Sequence, residues 1–126
     1  MRIFKTKWLV RYARRARIAD ANLVEAIDRA GRGLVDADLG GGIVKQRVAR
    51  PGAGRSGGYR MLVAYRAGSR AVFLYAFAKN ERDNIGPDEL ASLREVGAAW
   101  LAADDRQIAE AVKEGVLQEV AYDDPS

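Results

Sequence analysis

The sequence predicts an α+β fold in which a small antiparallel β-sheet is combined with two N-terminal helices and further helices near the C-terminus. Apolar residues recur with a helical period over residues 8–30 and again over residues 87–112. Between residues 43 and 79 apolar and polar residues instead alternate, which is typical of half-buried strands. The 126 residues are enough for one modest core, so we predict a single domain over residues 1–126, helical from about residue 87.

The N-terminal part predicts a short strand followed by two helices. Arg2–Lys7 alternates apolar and polar residues, and Trp8–Arg17 then places apolar residues on one helical side and arginines on the other. Asp20 is a suitable N-cap for a second helix, which Gly31 and Gly33 end. We expect the first helix to present a basic side to solvent.

The central part predicts a connector and three strands. Leu34–Gly42 is the connector, because its glycines allow the chain to turn into the sheet. Ile43–Arg50 is the next strand and is followed by an exposed loop, Pro51–Gly58. Tyr59–Arg66 and Arg70–Lys79 form a hairpin closed by a two-residue turn.

The two-residue turn fixes a register for this hairpin. With residues 68 and 69 in the turn, the cross-strand pairs are Ala67–Arg70, Val63–Leu74, Leu62–Tyr75 and Arg60–Phe77. One face then collects Met61, Val63, Tyr65, Val72 and Leu74, and the other collects Arg60, Arg66, Phe73, Tyr75, Phe77 and Lys79. The first has the composition of a core face. The second combines cations with aromatic rings, as in sites where nucleotides stack and phosphates are held.

The C-terminal part predicts two helices and a last strand. Pro87 suits the first position of a helix, and acidic residues follow it in the positive first turn. Asp104 is a suitable cap for another helix that stops near Gly115. Val116–Ser126 predicts a short strand followed by an acidic tail.

Positive charge is concentrated in the middle of the chain and at its N-terminus. The net charge is +4, but no acidic residue lies between Leu39 and Asn80. That span contains Lys45, Arg47, Arg50, Arg55, Arg60, Arg66, Arg70 and Lys79. Such a segment favours a polyanionic partner.

The composition excludes several kinds of site. The chain has no cysteine and no histidine, which excludes disulfides, thiolate nucleophiles and catalysis by histidine, and removes the usual ligands of structural zinc. We therefore predict no metal and no cofactor. No apolar run is long enough to cross a bilayer, and MRIFKTKW lacks the apolar core of a signal peptide, so we expect a cytoplasmic protein.

The segment FLYAFAKNERDNI (Phe73–Ile85), preceded by GGYRMLVAYRAGSRAV, resembles the toxins of bacterial type II toxin–antitoxin systems in the RelE/ParE superfamily, closest to the HigB-like and phage-associated branch. The connector LVDADLGGGIVKQRVARPGAGRSGGYR is similar to the corresponding part of that branch, so the resemblance covers about residues 1–103. It implies a small antiparallel sheet with two N-terminal helices packed on one face and a cleft on the other.

The resemblance also implies an activity and partners. Many members of the superfamily are ribosome-dependent endoribonucleases that cut mRNA in the A site, whereas the ParE-like branch poisons DNA gyrase. A cognate antitoxin, often a helix-turn-helix protein, neutralises such a toxin and joins it in binding operator DNA. We therefore predict a metal-independent endoribonuclease that inhibits translation. A ParE-like toxin and an inactive basic binding module remain the alternatives.

The resemblance transfers Lys79 and Arg60 first as the cations that carry activity, followed by Arg66, Lys45 and Arg47. RNA cleavage by its own 2′-hydroxyl needs a base, charge stabilisation and a donor for the leaving oxygen. Neighbouring cations would favour a neutral Lys79 amine, which could act as the base. The predicted catalytic set is Lys79, Arg60, Arg66 and Tyr75, and the predicted RNA-binding set is Lys45, Arg47, Phe77, Arg11, Arg14 and Arg15.

Each of these residues also has a structural interpretation. Glu81 is an alternative base, but a salt bridge to Lys79, Arg82 or an N-terminal arginine is favoured. Asn84 is expected to cap the turn before Pro87. Core positions for Tyr75 and Phe77, an edge charge at Arg60, and a solvated or antitoxin-binding first helix are the other interpretations.

Overall fold

The structure is a computed structural model that describes residues 1–50, 54–82 and 84–120, with only the backbone at residues 50 and 54–57. In chain order the elements are β1 (Arg2–Thr6), α1 (Lys7–Ala16), α2 (Asp20–Gly31), β2 (Ala37–Asp38), β3 (Ile43–Arg50), β4 (Gly54–Arg66), β5 (Arg70–Ala78), α3 (Pro87–Ala102), α4 (Asp105–Lys113) and β6 (Leu117–Glu119). The predicted α+β class is confirmed. None of the helices described is both long and apolar enough to cross a membrane.

The six strands form one sheet in the order β2-β3-β4-β5-β1-β6. The pair of β1 and β5 is parallel, and the other neighbours are antiparallel, so the predicted antiparallel sheet contains one parallel pair. The short strand β2 lies inside the predicted connector. The predicted loop from Pro51 to Gly58 is largely wrong, because β4 already begins at Gly54; residues 51–53 lie outside the described residues.

Helices α1 and α2 pack on one face of the sheet. Thr6 ends β1 and caps α1, since its Oγ1 accepts a hydrogen bond from the backbone N–H of Leu9 at 3.3 Å. The predicted cap at Asp20 is wrong: Ala19 is the N-cap, and the Asp20 carboxylate instead pairs with the buried Lys5 at 2.7 Å. The core on this face includes Leu9, Ala13, Leu23, Ile27, Met61, Val63 and Phe73.

Helices α3 and α4 pack on the opposite face and cover part of it. The core there includes Phe4, Ile43, Leu62, Val72, Leu74, Leu101 and Ile108. Arg70 fixes the end of α3 by donating to the carbonyl oxygens of Trp100 and Ala103, each at 2.8 Å. Near the middle of α3, Arg94 donates to the Leu39 carbonyl in the connector. The predicted last strand is confirmed as β6, and the predicted acidic tail lies outside the described residues.

The β4–β5 hairpin has a different turn from the one predicted. Arg66 pairs with Arg70, so the turn contains three residues, with Gly68 at φ +72°. A β-bulge then shifts the register between Leu62 and Val63. The predicted pairs Leu62–Tyr75 and Arg60–Phe77 are confirmed, whereas Val63 lies opposite Phe73.

The bulge also means that the two faces of the hairpin differ from the predicted ones. Phe73 belongs to the core under α1 and α2, whereas Val72 and Leu74 belong to the core under α3 and α4. Since Leu74 is the extra residue of the bulge, the register from Tyr75 to the end of β5 is the predicted one, and Tyr75 keeps its predicted partner. The error is confined to the part of the hairpin nearest its turn.

Candidate functional site

A cluster of three cations on β3 and β4 surrounds one carboxylate. Asp36, in the connector before β2, has its Oδ1 at 3.0 Å from Arg47 Nε. Its Oδ2 lies 3.6 Å from Arg60 Nε and 3.7 Å from Lys45 Nζ. Three positive charges and one negative charge leave the cluster with an excess of two, so it can accept an additional anion.

The backbone around Asp36 is fixed by β3. The N–H of Asp36 donates to the Lys45 carbonyl at 3.0 Å, and Ala37 pairs with Lys45 in the sheet. The buried Gln46 side chain donates to the carbonyl oxygens of Ala26 and Leu34, both at 2.9 Å, and so ties the start of the connector to α2. The carboxylate is therefore held by ordered backbone on both sides.

Arg60 is the least exposed cation of this cluster. Its side chain is 8% exposed, compared with 48% for Arg47. Arg60 Nη1 is buried and has no hydrogen-bond partner among the residues that the structure describes. A buried guanidinium with an unpaired N–H group favours the entry of an acceptor such as a phosphate oxygen.

Two aromatic residues of β5 lie beside the cluster, and the ring of each is in contact with another side chain. Phe77, directly opposite Arg60, is only 2% exposed, and the Arg82 guanidinium lies over its ring at 5.8 Å. Phe77 therefore occupies the core position that is its structural interpretation, and its contact with RNA stays a prediction. Tyr75 is half-buried, and its ring stacks on Trp8 with centroids 4.6 Å apart.

The stack continues along α1. Trp8 and Tyr12, one helical turn apart, have near-parallel rings with centroids at 5.3 Å, and Tyr12 meets Tyr59 edge-on at 5.8 Å. Burial, with a smaller contribution from the negative charge of Glu81, raises the pKa of Tyr12 to about 12. Trp8 is nevertheless 40% exposed, and it lines a groove of about 430 Å³ together with Arg11, Arg14 and Arg15. The basic side of α1 thus forms one wall of an open groove.

The segment after β5 carries exposed charges and an ion pair formed by Arg82. Lys79 begins the turn that follows β5, and its side chain is exposed and makes no ion pair within the described part of the chain. Arg82 donates to Glu89 at 2.8 Å, and this hydrogen bond lowers the pKa of the Glu89 carboxyl and raises that of Arg82. Glu81 forms no ion pair with Lys79, Arg82 or an N-terminal arginine among the described residues, so its predicted salt bridge is wrong. Asn84 accepts a hydrogen bond from the Ile85 N–H at 2.9 Å, which confirms that it caps this turn.

A sequence profile described as "RelE toxin of RelE / RelB toxin-antitoxin system" matches residues 1–120. The chain belongs to this family. It is a toxin of a toxin–antitoxin system, and membership implies a cognate antitoxin. A comparison with curated protein sequences gives no match. The resemblance to the RelE/ParE superfamily is thus confirmed, whereas its HigB-like branch stays a prediction.

The toxin fold brings together some of the predicted site residues but not all of them. Arg60, Lys45 and Arg47 meet at Asp36. Arg66 does not join them, because it precedes the hairpin turn and lies six residues, about 20 Å, along β4 from Arg60. Arg66 therefore lies outside the cluster, and its catalytic role stays a prediction. Arg11, Arg14 and Arg15 line their own groove with Trp8.

Three residues of this region were missed by sequence reasoning. The sequence places Asp36 only in a connector, although a carboxylate before a strand with two cations is a signal of ion pairing. Trp8 was assigned to the apolar side of the first helix, and nothing in its spacing predicts its exposure. Arg82 was considered only as a partner of Glu81, because its contact with Phe77 depends on the turn after β5.

Proposed function

We propose that this RelE-family toxin inhibits translation as a metal-independent endoribonuclease that cleaves mRNA on the ribosome. The observation that carries the proposal is Arg60, a nearly buried guanidinium with an unpaired Nη1, in a cluster that holds three cations around the single carboxylate of Asp36. Such a cluster stabilises the negative charge that develops on a phosphate when a 2′-hydroxyl attacks it.

In this proposal the cations have different tasks. Arg60 donates to a nonbridging phosphate oxygen, because its Nη1 has no other hydrogen-bond partner among the described residues. Lys45 and Arg47 hold the neighbouring phosphate charge. Lys79, exposed in the turn after β5, is the candidate for proton transfer at the 2′-hydroxyl or at the leaving oxygen. Alignment of the message by the ribosome supplies the remaining orientation.

The groove on α1 extends the contact with nucleic acid in this proposal. Arg11, Arg14 and Arg15 are exposed around it, and Trp8 contributes a partly exposed indole. Clustered arginines next to an aromatic residue suit the phosphate backbone and bases of single-stranded or ribosomal RNA. Both the message and the ribosome place such an activity in the cytoplasm.

The same proposal covers regulation. We expect the cognate antitoxin to be a small helix-turn-helix protein, and we expect the toxin to reach operator DNA only within the complex with that antitoxin. Co-expression with a neighbouring gene product of this type should abolish growth arrest.

The proposal is tested by inducing the toxin and mapping the 5′ ends of cellular messages. The wild-type protein should produce cuts in phase with codons, and Lys79→Ala and Arg60→Ala should abolish them. Lys113→Ala on α4 and Arg32→Ala just after α2 are matched controls, because both residues are exposed cations that make no contact with Asp36 among the described residues, and they should cut like the wild type.

The outcome separates the alternatives. Growth arrest with intact messages and gyrase-linked DNA damage would replace the proposal by a ParE-like activity. No growth arrest at all would leave a basic binding module. Loss of cutting in the two control variants would show that folding, and not the cluster, had been tested.

A further inference from the structure

Asp36 lies among the three cations that the proposed function assigns to RNA phosphates. Its two oxygens are shared among three cations, at 3.0 Å from Arg47 and at 3.6 and 3.7 Å from Arg60 and Lys45. Only the contact with Arg47 is a hydrogen bond; the other two are longer ion pairs. The carboxylate therefore binds one cation firmly and the other two loosely.

The sheet register explains why a carboxylate is needed there. Arg47 and Arg60 are direct cross-strand partners, and like charges in that arrangement repel each other. Lys45 adds a third cation one strand-repeat away on the same face of β3. Without a counter-anion, the side chains would be expected to spread apart into solvent.

We propose that Asp36 is a positioning residue that acts as an internal counter-anion: it holds Lys45, Arg47 and Arg60 together in the free toxin and competes with an RNA phosphate for Arg60 and Lys45. This inference rests on the proposed function for the identity of the anion. On binding, the phosphate takes over the two loose contacts, while the hydrogen bond from Arg47 to Asp36 persists. The carboxylate thereby weakens binding of the ground state but keeps the cations in place for the reaction.

The test compares Asp36→Asn with Asp38→Asn in the full-length toxin. Both changes remove one negative charge from the same connector and keep the side-chain shape. Asp38 lies outside the cluster, and its Oδ1 accepts from the Gly40 N–H at 2.9 Å, which an asparagine can also do. The probe is a short 2′-O-methyl oligoribonucleotide, which has phosphates but lacks the attacking hydroxyl.

Asp36→Asn should bind this probe about fivefold more tightly at low salt, the size expected for a partly exposed charge pair. The slope of log affinity against log salt should become steeper by up to about 0.7, because one more cation is available to phosphate. On programmed ribosomes the same variant should cleave about tenfold more slowly, since displaced cations no longer meet the transition state. Asp36→Glu should recover part of that rate.

The proposed competition between Asp36 and phosphate would be overturned if Asp36→Asn bound the probe no more tightly than the wild type, or no more tightly than Asp38→Asn does. A wild-type cleavage rate for Asp36→Asn would overturn the positioning role. If the wild-type toxin cuts no message, the proposed function fails, but the binding comparison still decides whether Asp36 competes with phosphate. Circular dichroism and urea unfolding of each variant check that the fold is retained.

Discussion

Arg47 and Arg60 lie directly opposite each other on β3 and β4, yet they differ sharply in exposure. The Arg47 side chain is half exposed and hydrogen-bonded to Asp36, whereas the Arg60 side chain is almost buried and leaves Nη1 unpaired. Two arginines at one level of the sheet are therefore not equivalent. The buried one is held in place by its surroundings, whereas the exposed one is held at Nε by Asp36 and is otherwise open to solvent.

This asymmetry predicts different sensitivities to a conservative change. Arg60→Lys should lower single-turnover cleavage on programmed ribosomes by about tenfold or more, because an ammonium cannot reproduce the planar, bidentate donors of a guanidinium. Arg47→Lys should lower it by less than about threefold, since an exposed side chain can adapt. Equal losses in the two variants would contradict the asymmetry. Urea unfolding of both serves as the control for stability.

The raised pKa of Tyr12 predicts a loss of stability in strong base. Its pKa is about 12 in the fold and about 10 in the unfolded chain, so between these values the unfolded state binds fewer protons and stability falls as the pH rises. Below pH 10 the contribution is fully present. Two pKa units correspond to about 2.7 kcal/mol, but solvent screening of a half-exposed group should reduce the loss to about 1 kcal/mol.

Tyr12→Phe is the comparison that isolates this effect. The difference in unfolding free energy between the wild type and Tyr12→Phe should be constant below pH 10 and should decrease between pH 10 and 12. Urea unfolding at each pH measures it, and absorbance at the tyrosinate band follows the titration. A difference that stays flat through pH 12 would show that Tyr12 is not buried by the Trp8 stack.

Gly97 lies where α3 packs closely against the sheet. A Cβ at this position would lie 2.6 Å from Ile43 Cδ1, 3.2 Å from Ala64 Cβ and 3.3 Å from Leu74 Cδ1. Gly97→Ala should therefore lower the free energy of unfolding by about 1 to 2 kcal/mol, because overpacking outweighs the gain in helix propensity. Chemical denaturation measures the change.

A second substitution, at Ile43, should relieve the clash that Gly97→Ala introduces. Ile43→Val removes only the Cδ1 atom that would meet the new methyl group, so the double variant should be more stable than the two single effects predict. If the two changes in unfolding free energy simply add, α3 does not pack against Ile43 at this position.

The sequence predicts the order of most elements but not every register. Alternation identified β3 and β5, and helical periods identified α1 to α4, because these patterns follow from burial of one face. The three-residue turn and the bulge could not be predicted from the sequence, since Gly68 and Ser69 suit turns of either length. Asp36 was missed for a related reason: its three partners come from two strands, and only the sheet pairing brings Arg47 and Arg60 to the same level.

Trp8 offers a last prediction, on the coupling between α1 and β5. Its indole stacks on Tyr75 at 4.6 Å and on Tyr12 at 5.3 Å, so it connects the first helix to the strand that precedes Lys79. Trp8→Ala should lower the free energy of unfolding by about 1 to 2 kcal/mol, because it removes both ring contacts from a partly exposed site. Val96→Ala, at an equally exposed apolar position on α3, should change it by less than about 0.5 kcal/mol.

A double-mutant cycle with Trp8→Ala and Tyr75→Ala isolates the stack itself. The coupling energy from urea unfolding should be about 0.5 to 1.5 kcal/mol, the range for aromatic pairs in contact. A value near zero would show that the two rings are neighbours without stabilising each other. Because Tyr75 also accepts a hydrogen bond from Arg82 at 3.4 Å, Arg82→Ala should leave this coupling energy unchanged if ring stacking is its source.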